Sequence, residues 1–355
     1  MAVEAFLGTR AQRGFILTVL VQAIIVLTMV AIAFGLVAAN VTISNIRYRT
    51  LPCYLALFAL AEVFHLILSL DALHRRNIIQ LVGLIMFHIG LLVFSSIQIH
   101  QTHTALVTMP GSDCALHYAN CSGPSSLYHL VEAFLIVVPC ILAASLVSLV
   151  WFTRQLFSEF GWAVFHVVGA DPRMKAMYRY YQVMICLLKF DFFCFVGLTM
   201  QLLILVLHHN TAEFGITIAA IPIVLLLLVA CGIAVQREIK WLMTISLILM
   251  LGAQAYFLYK FTRLFAPSTE GQYITTRTTL AVFLIVAFIL IFASFAVGLR
   301  CFADFDKGLR HPKSNETGLA NRDSKYNSVA PGSPGMVGRE SYVGGTPLQP
   351  RISIE

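Results

Sequence analysis

Residues 214–235 read FGITIAAIPIVLLLLVACGIAV, an apolar run without any Asp, Glu, Lys, Arg or His. A helix that spans a membrane needs about 20 predominantly apolar residues, because each residue advances the helix by about 1.5 Å and the hydrocarbon core is about 30 Å thick. The run is long enough to cross a bilayer, and it determines the class of protein to which we assign the chain.

Seven further runs have the same character, and all eight lie before residue 310. The other seven are 14–37, 51–71, 78–98, 128–152, 181–207, 241–262 and 278–299. Of the 355 residues, 59% are hydrophobic and only 12% are charged, whereas soluble domains are about 45–50% apolar and about 25% charged. This composition excludes a soluble globular protein and a disordered one. The fold class predicted is all-α, a polytopic transmembrane bundle of about eight membrane-spanning helices.

The chain divides into two parts by composition. Residues 1–310 form the predicted transmembrane bundle, which includes a predicted cytosolic interfacial loop at 153–180. From residue 311 to 355, Gly, Ser, Pro and Asn dominate and apolar runs are absent. Such a segment cannot bury a core, so it is predicted to be a disordered cytosolic tail.

Three local signals predict how the helices begin and turn. Ser158 is a candidate cap for a short aromatic helix, which either lies in the membrane interface or packs without contacting lipid. Asp171-Pro172 predicts the start of a helix that runs directly into the fifth span. The short segment Gln236–Lys240 predicts a tight turn between spans six and seven, so these spans should be antiparallel neighbours.

The distribution of basic residues predicts the orientation. The N-terminus and the loops 72–77, 153–180 and 236–240 hold ten Lys and Arg residues, against five in the alternate loops. Since Lys and Arg accumulate on the cytosolic side, both termini are predicted to be cytosolic. Two N-glycosylation sequons, at Asn40 and Asn120, fall on the opposite side and agree with this orientation.

Other residues are candidates for covalent modification. Cys114 and Cys121 share a loop and are predicted to form a disulfide in an oxidising lumen, with two free thiols, or pairing with Cys53, as the alternatives. Cys301, at the cytosolic end of the last span, is a candidate for palmitoylation. Within the tail, Ser333 and Thr346 each precede a proline and are candidate phosphorylation sites.

Among the ionisable residues within the apolar runs, Glu132 lies nearer the luminal edge, and five lie deeper, namely Glu62, His65, His88, Lys189 and Asp191. The helical rise places them roughly 9–15 Å from the cytosolic edge, in one layer near the midplane. Ionisable groups in hydrocarbon are costly and have partners, so these residues are predicted to form an intramembrane polar cluster. Glu62 and Lys189 are the predicted ion pair. Asp191 is expected to bind His88, a hydroxyl group or water.

Three interpretations of this cluster compete. It is a packed network that fixes the helix register, a proton or ion relay in a transporter, or a metal site built on Glu62, His65 and His88. Di-iron bundles use two Glu-x-x-His pairs, and only Glu62–His65 has this spacing here. Lys189 is alternatively a residue whose ammonium group reaches the cytosolic interface.

No enzyme motif or cofactor fingerprint is present in the sequence. We therefore predict no catalytic residue, no resident metal and no cofactor, and expect the chain not to be an enzyme. The net charge of +7 is spread over short loops and the tail, not along a stripe, so nucleic-acid binding is not predicted either. The predicted partners are the lipid bilayer and cytosolic proteins that contact the tail.

A resemblance to a known family appears around residues 155–205. The residues that carry it are Phe160-Gly161-Trp162, Val168-Gly169-Ala170-Asp171, Tyr178–Gln182, Leu187–Phe193, Gln201, and Cys301-Phe302 to Gly308-Leu309. In these the chain resembles an uncharacterised fungal family of multi-pass Golgi apparatus membrane proteins. The resemblance implies a Golgi location, with the plasma membrane or another endomembrane as the alternative, and it implies no activity, cofactor or catalytic residue.

The function predicted from the sequence is non-enzymatic membrane organisation or trafficking in the Golgi, through the cytosolic loop and tail. A proton- or ion-coupled transporter or channel that uses the polar cluster is the first alternative. A seven-helix-like receptor is the second alternative, and the even number of spans disfavours it.

Overall fold

A computed structural model describes residues 7–40, 50–108, 126–168, 171–206, 211–265 and 277–307, with no description of the side chains of Thr50, of Thr108 and of residues 162–168, 205–206 and 211–221. The predicted tail at 311–355, with Ser333 and Thr346, lies outside these residues. So do Asn120, Cys114 and Cys121.

Eight long helices form the described part of the chain, and no strand occurs in it. They are α1 (Arg10–Asn40), α2 (Thr50–His74), α3 (Ile78–His103), α4 (Leu127–Val168), α5 (Pro172–Val206), α6 (Thr211–Arg237), α7 (Lys240–Leu264) and α8 (Arg277–Ala303), with a π-helical turn at Thr104–Thr108 after α3. Each helix contains one of the eight apolar runs. The predicted all-α transmembrane fold is confirmed.

Seven of the helices are long and apolar enough to cross a membrane. The remaining one, α6, has 27 residues, and its segment Pro222–Arg237 is an apolar helix. Two tryptophans are exposed: Trp151 lies near the predicted cytosolic end of the apolar run 128–152 in α4, and Trp241 lies at the predicted cytosolic end of α7. Indole rings favour this headgroup level, because they combine an apolar ring with a hydrogen-bond donor.

Two of the predicted helix boundaries are confirmed. The carboxylate of Asp171 accepts a hydrogen bond from the backbone N–H of Arg173 at 2.9 Å, and α5 begins at Pro172 and continues through the fifth span. Helices α6 and α7 are separated only by Glu238 and Ile239 and pack against each other. Glu238 has a φ of 58°, the left-handed conformation that such a tight reversal requires.

The predicted break at Ser158 is wrong. Helix α4 runs without interruption through this position, so 153–180 is not a loop with a separate short helix. The reason is tertiary packing: Leu156 and Phe160 are buried, while the Glu159 carboxylate accepts hydrogen bonds from Thr9 and Gln12 at the start of α1. A helix face that is covered by a neighbour continues even where a capping residue occurs in the sequence.

The helices pack as two sets of four. In the first half, comprising α1–α4, α1 packs along α4 and α2, and α3 packs along α4 and α2. In the second half, comprising α5–α8, α8 packs along α5 and α7, and α6 lies against both α5 and α7. The contacts of α2 and α3 with α5 join the two halves.

Aromatic rings fill the centre of the contact between the halves. The ring of Phe193 on α5 lies 4.9 Å from Phe64 on α2 and 4.8 Å from Phe87 on α3, measured between centroids. Phe190, on the same helix, stacks edge-on against Phe64 at 5.9 Å. Gly83 on α3 faces Phe190 so closely that a Cβ atom there would lie 2.8 Å from the ring. The halves are therefore held by a closely packed apolar layer.

Candidate functional site

The five predicted cluster residues do not form one network. The structure separates them into three sets: Glu62 with the two histidines in the first half, Lys189 between the halves, and Asp191 in the second half. Each set contacts different neighbours, so the three are described in turn.

Glu62 is the most buried carboxylate of the five residues. Its side chain is 1% exposed, and both carboxylate oxygens accept hydrogen bonds from the amide nitrogen of Gln22 on α1, at 3.1 and 3.0 Å. The sequence analysis did not single out Gln22, because a neutral amide in an apolar run carries no charge signal. The predicted pair of Glu62 with Lys189 is wrong.

The two histidines lie side by side between α2 and α3. The rings of His65 and His88 are fully buried, and their centroids are 5.4 Å apart. His88 Nε2 lies 2.9 Å from the carbonyl oxygen of Leu142 and 3.2 Å from the Ser145 hydroxyl, both on α4. Because a carbonyl oxygen only accepts, His88 Nε2 carries the hydrogen and donates it to Leu142.

Lys189 crosses the contact between the halves to reach Asp71 near the cytosolic end of α2. Its ammonium group donates to the Asp71 carboxylate and, at 2.8 Å, to the side-chain oxygen of Gln80 on α3. The amide nitrogen of Gln80 in turn donates to Asp71 at 2.9 Å. These three residues, here called the cytosolic latch, tie α2 and α3 to α5.

Asp71 was not among the predicted cluster residues, since it is the last residue of the second apolar run. The length of the lysine side chain could have pointed to Asp71, because it places the charge of Lys189 about one helical turn from its own Cα atom. Lys189 therefore reaches toward the cytosolic interface, which was the alternative considered for it.

Asp191 faces α8. Its carboxylate accepts a hydrogen bond from the hydroxyl group of Ser294, and its other oxygen has no hydrogen-bond partner. A hydroxyl group was one of the three expected partners of Asp191. This contact ties α5 to α8 within the second half.

A second polar contact joins the halves at the predicted luminal end. Thr279 on α8 donates to the side-chain oxygen of Gln101 on α3 at 2.6 Å, and its hydroxyl lies 3.4 Å from that of Tyr54 on α2. All three residues are buried. The sequence analysis did not identify this luminal latch, because all three side chains are neutral.

The described residues provide no metal centre: nowhere in them do three His, Cys, Asp or Glu side chains come close enough to share an ion. The metal interpretation of Glu62, His65 and His88 is thus not supported by the geometry. What these groups offer instead is proton donors and acceptors.

The modification candidates that are described lie at helix ends. Asn40 is the last residue of α1, and its amide donates to the backbone oxygen of Leu36 at 2.8 Å. Cys301 is only 6% exposed and packs among the buried residues of the second half. Burial of the thiol opposes its acylation in this conformation, and palmitoylation stays a prediction, as does glycosylation.

The amino-acid sequence of the chain is similar to that of a known protein over most of its length. The chain is 26% identical over 323 residues to a UPF0658 Golgi apparatus membrane protein of Schizosaccharomyces pombe, with 86% of this chain and 91% of the relative covered. The predicted resemblance is confirmed. No family model and no solved structure matches the chain. The multi-pass Golgi membrane location predicted from the sequence agrees with the relative and with the apolar helices.

Proposed function

We propose that the protein is a non-enzymatic organiser of the Golgi membrane, which positions or sorts other membrane proteins through its cytosolic surface. The observation that carries this proposal is the length of α4. It has 42 residues, so it is about 63 Å long, whereas the hydrocarbon core is about 30 Å thick. From Trp151 to Val168 it extends about 25 Å further on the predicted cytosolic side.

This extension presents side chains that a partner protein can contact. Arg154 is exposed and Phe157 is 57% exposed, while the opposite face is held by α1 through Leu156 and Glu159. The extension is therefore anchored on one side and open on the other. Together with the tail from residue 311, it supports a role in binding cytosolic proteins.

The interior polar contacts support a non-enzymatic role. Each of these residues bonds to a side chain or backbone group of another helix. Glu62 contacts α1, His88 contacts α4, Lys189 contacts both α2 and α3, and Asp191 contacts α8. Within the described residues these groups do not converge on a common point with a nucleophile. Their arrangement fits the fixing of helix positions.

The proposal is tested by complementation in cells that lack the protein, with the distribution of Golgi-resident membrane proteins as the readout. Deletion of residues 311–355, and separately the double variant Arg154→Glu/Phe157→Glu, should fail to restore the distribution at normal protein level and location. Asp191→Asn is the matched control and should restore it. Restoration by both cytosolic variants would contradict the proposal.

A second candidate function, coupled transport, is favoured by the division into halves. The cytosolic latch and the luminal latch close the contact between the halves at opposite ends, as expected of a protein that opens alternately to each side. Glu62→Gln or Asp191→Asn should then change the luminal pH of the Golgi while protein level and location stay normal. Unchanged luminal pH in both variants would exclude this candidate.

A further inference from the structure

The interior of the first half contains a line of polar residues that helix packing alone does not explain. Glu62, His65 and Ser69 follow one face of α2 at spacings of three and four residues, with Gln22 on α1 and His88 on α3 facing them. All five are at most 2% exposed. They lie between helices that are otherwise apolar.

Several polar atoms of this line have no hydrogen-bond partner. They are both ring nitrogens of His65, Nδ1 of His88, the Ser69 hydroxyl and the side-chain oxygen of Gln22. Each buried polar atom without a partner typically costs about 1–3 kcal/mol. Five such atoms in one place mark this line as an interior region whose polar groups are only partly satisfied by contacts between the helices.

The helices around Glu62 bring no free cation to its carboxylate. Helix α1 has no ionisable side chain between Arg13 and Asn40, and α4 has no Asp, Glu, Lys, Arg or His between Glu132 and Arg154. On α3, His88 is the ionisable side chain at the depth of Glu62. On α5, Lys189 is held by Asp71 and Gln80, and Asp191 is held by Ser294.

Glu62 therefore contacts a neutral amide and has no cation among its hydrogen-bond partners. An unpaired carboxylate in an apolar interior is strongly unfavourable, and a bound proton removes its charge. The histidines supply acceptors for the same proton. Because His88 Nε2 donates to Leu142, its Nδ1 holds a lone pair in the neutral ring. Neutral His65 has one nitrogen with a lone pair and one N–H, and neither has a hydrogen-bond partner.

We propose that Glu62, His65 and His88 form a proton-binding site in the membrane interior. Protonation of Glu62 forms an O–H bond at its carboxyl group, and protonation of His65 or His88 forms an N–H bond at a ring nitrogen; each step takes up one proton from water and changes no electron count. The His65 and His88 rings, 5.4 Å apart between centroids, are the two imidazoles of the site. The site is independent of whether the protein organises the membrane or transports a solute.

The test is infrared difference spectroscopy of the full chain in phosphatidylcholine vesicles at stepped pH. The carbonyl stretch of a protonated carboxyl group should appear and disappear reversibly, and Glu62→Gln should abolish it. Asp191→Asn, which removes the buried carboxylate of α5, should leave the Glu62 band in place. In His65→Asn the band should disappear over a different pH range.

Two results would overturn the site: a wild-type spectrum whose carboxyl bands are all retained in Glu62→Gln, or a titration that is identical in wild type, His65→Asn and His88→Asn. If Glu62→Gln does not fold, Gln22→Leu provides a second route. It keeps Glu62 but removes its hydrogen-bond donor, so the frequency of the Glu62 band should shift. A frequency unchanged in Gln22→Leu would also count against the assignment.

Discussion

The ammonium group of Lys189 shows that, inside a membrane, the position of a charge is set by the reach of its side chain. Lys189 and Asp191 are two residues apart on α5, yet Lys189 contacts α2 and α3 while Asp191 contacts α8. Successive helical positions are about 100° apart, so the two charges face different neighbours. The depth of a residue along its helix therefore did not predict which group its side chain contacts.

Loss of the cytosolic latch should destabilise the bundle. Lys189→Met removes the donor of the Gln80 oxygen and the cation of a partly buried ion pair, while Asp71 keeps hydrogen bonds from Gln80 and Arg75. The free energy of unfolding should fall by about 2 kcal/mol. Lys240→Met is the control, because Lys240 and its partner Asp306 are 60% and 65% exposed, and it should cost at most about 1 kcal/mol. Denaturant titration in detergent micelles measures both.

A double-mutant cycle separates the contact itself from the loss of a long side chain. If the latch is the cause, adding Asp71→Asn to Lys189→Met should cost clearly less than the sum of the two single changes. Strictly additive costs would show that Lys189 stabilises the protein through packing alone.

Close helix contact at Gly83 is a second property of single residues. A Cβ atom at this position would lie 2.8 Å from the Phe190 ring and 3.0 Å from the Cys186 sulfur, both of which are buried. Gly83→Ala should therefore lower the free energy of unfolding by about 1–3 kcal/mol. Gly90→Ala on the same helix has open space around it and should be neutral or slightly stabilising.

Among the elements, α4 shows how packing overrides a local boundary signal. Apolar periodicity located the membrane-spanning part of this helix correctly, and Asp171-Pro172 correctly marked the start of α5. The Ser158 signal failed because α1 covers the helix on both sides of it, through Leu156, Glu159 and Phe160. Capping residues favour helix ends only where the backbone groups of that turn lack other partners.

Two substitutions at Ser158 test the continuity of α4. Ser158→Ala should leave stability unchanged or slightly raised, because the position is an exposed helix interior and alanine has the higher helix propensity. Ser158→Pro should cost about 3 kcal/mol, because proline removes a backbone hydrogen bond in mid-helix. A loss of about 1 kcal/mol in Ser158→Ala would instead indicate a helix N-terminus there.

At the scale of the whole molecule, orientation and the division into halves determine which groups face which compartment. The orientation is predicted from Lys and Arg in the loops, and both latches take their names from it. In a background without native cysteines, Arg237→Cys should react with a membrane-impermeant maleimide in sealed Golgi vesicles that expose their cytosolic face. Arg263→Cys, at the other end of α7, should react only after the vesicles are permeabilised.

The reverse labelling pattern would show that the orientation is opposite to the predicted one. The α4 extension would then lie in the lumen, which would contradict the organising function. Equal labelling of both positions in sealed vesicles would mean that α7 does not cross the membrane.

The apolar pattern of the sequence predicted the number and positions of the helices, since a bilayer requires long apolar segments whose backbone hydrogen bonds are satisfied internally. It also located five ionisable residues within these segments, of which four are buried and Lys189 is partly exposed. Helix packing selects the groups that these residues contact, which are Gln22, Asp71, Gln80, Leu142 and Ser294. All five lie on other helices, and all but Asp71 contribute neutral groups, which carry no charge signal. Which helices meet, and at what register, depends on packing between distant segments, and the division of the polar residues into separate sites follows from that packing.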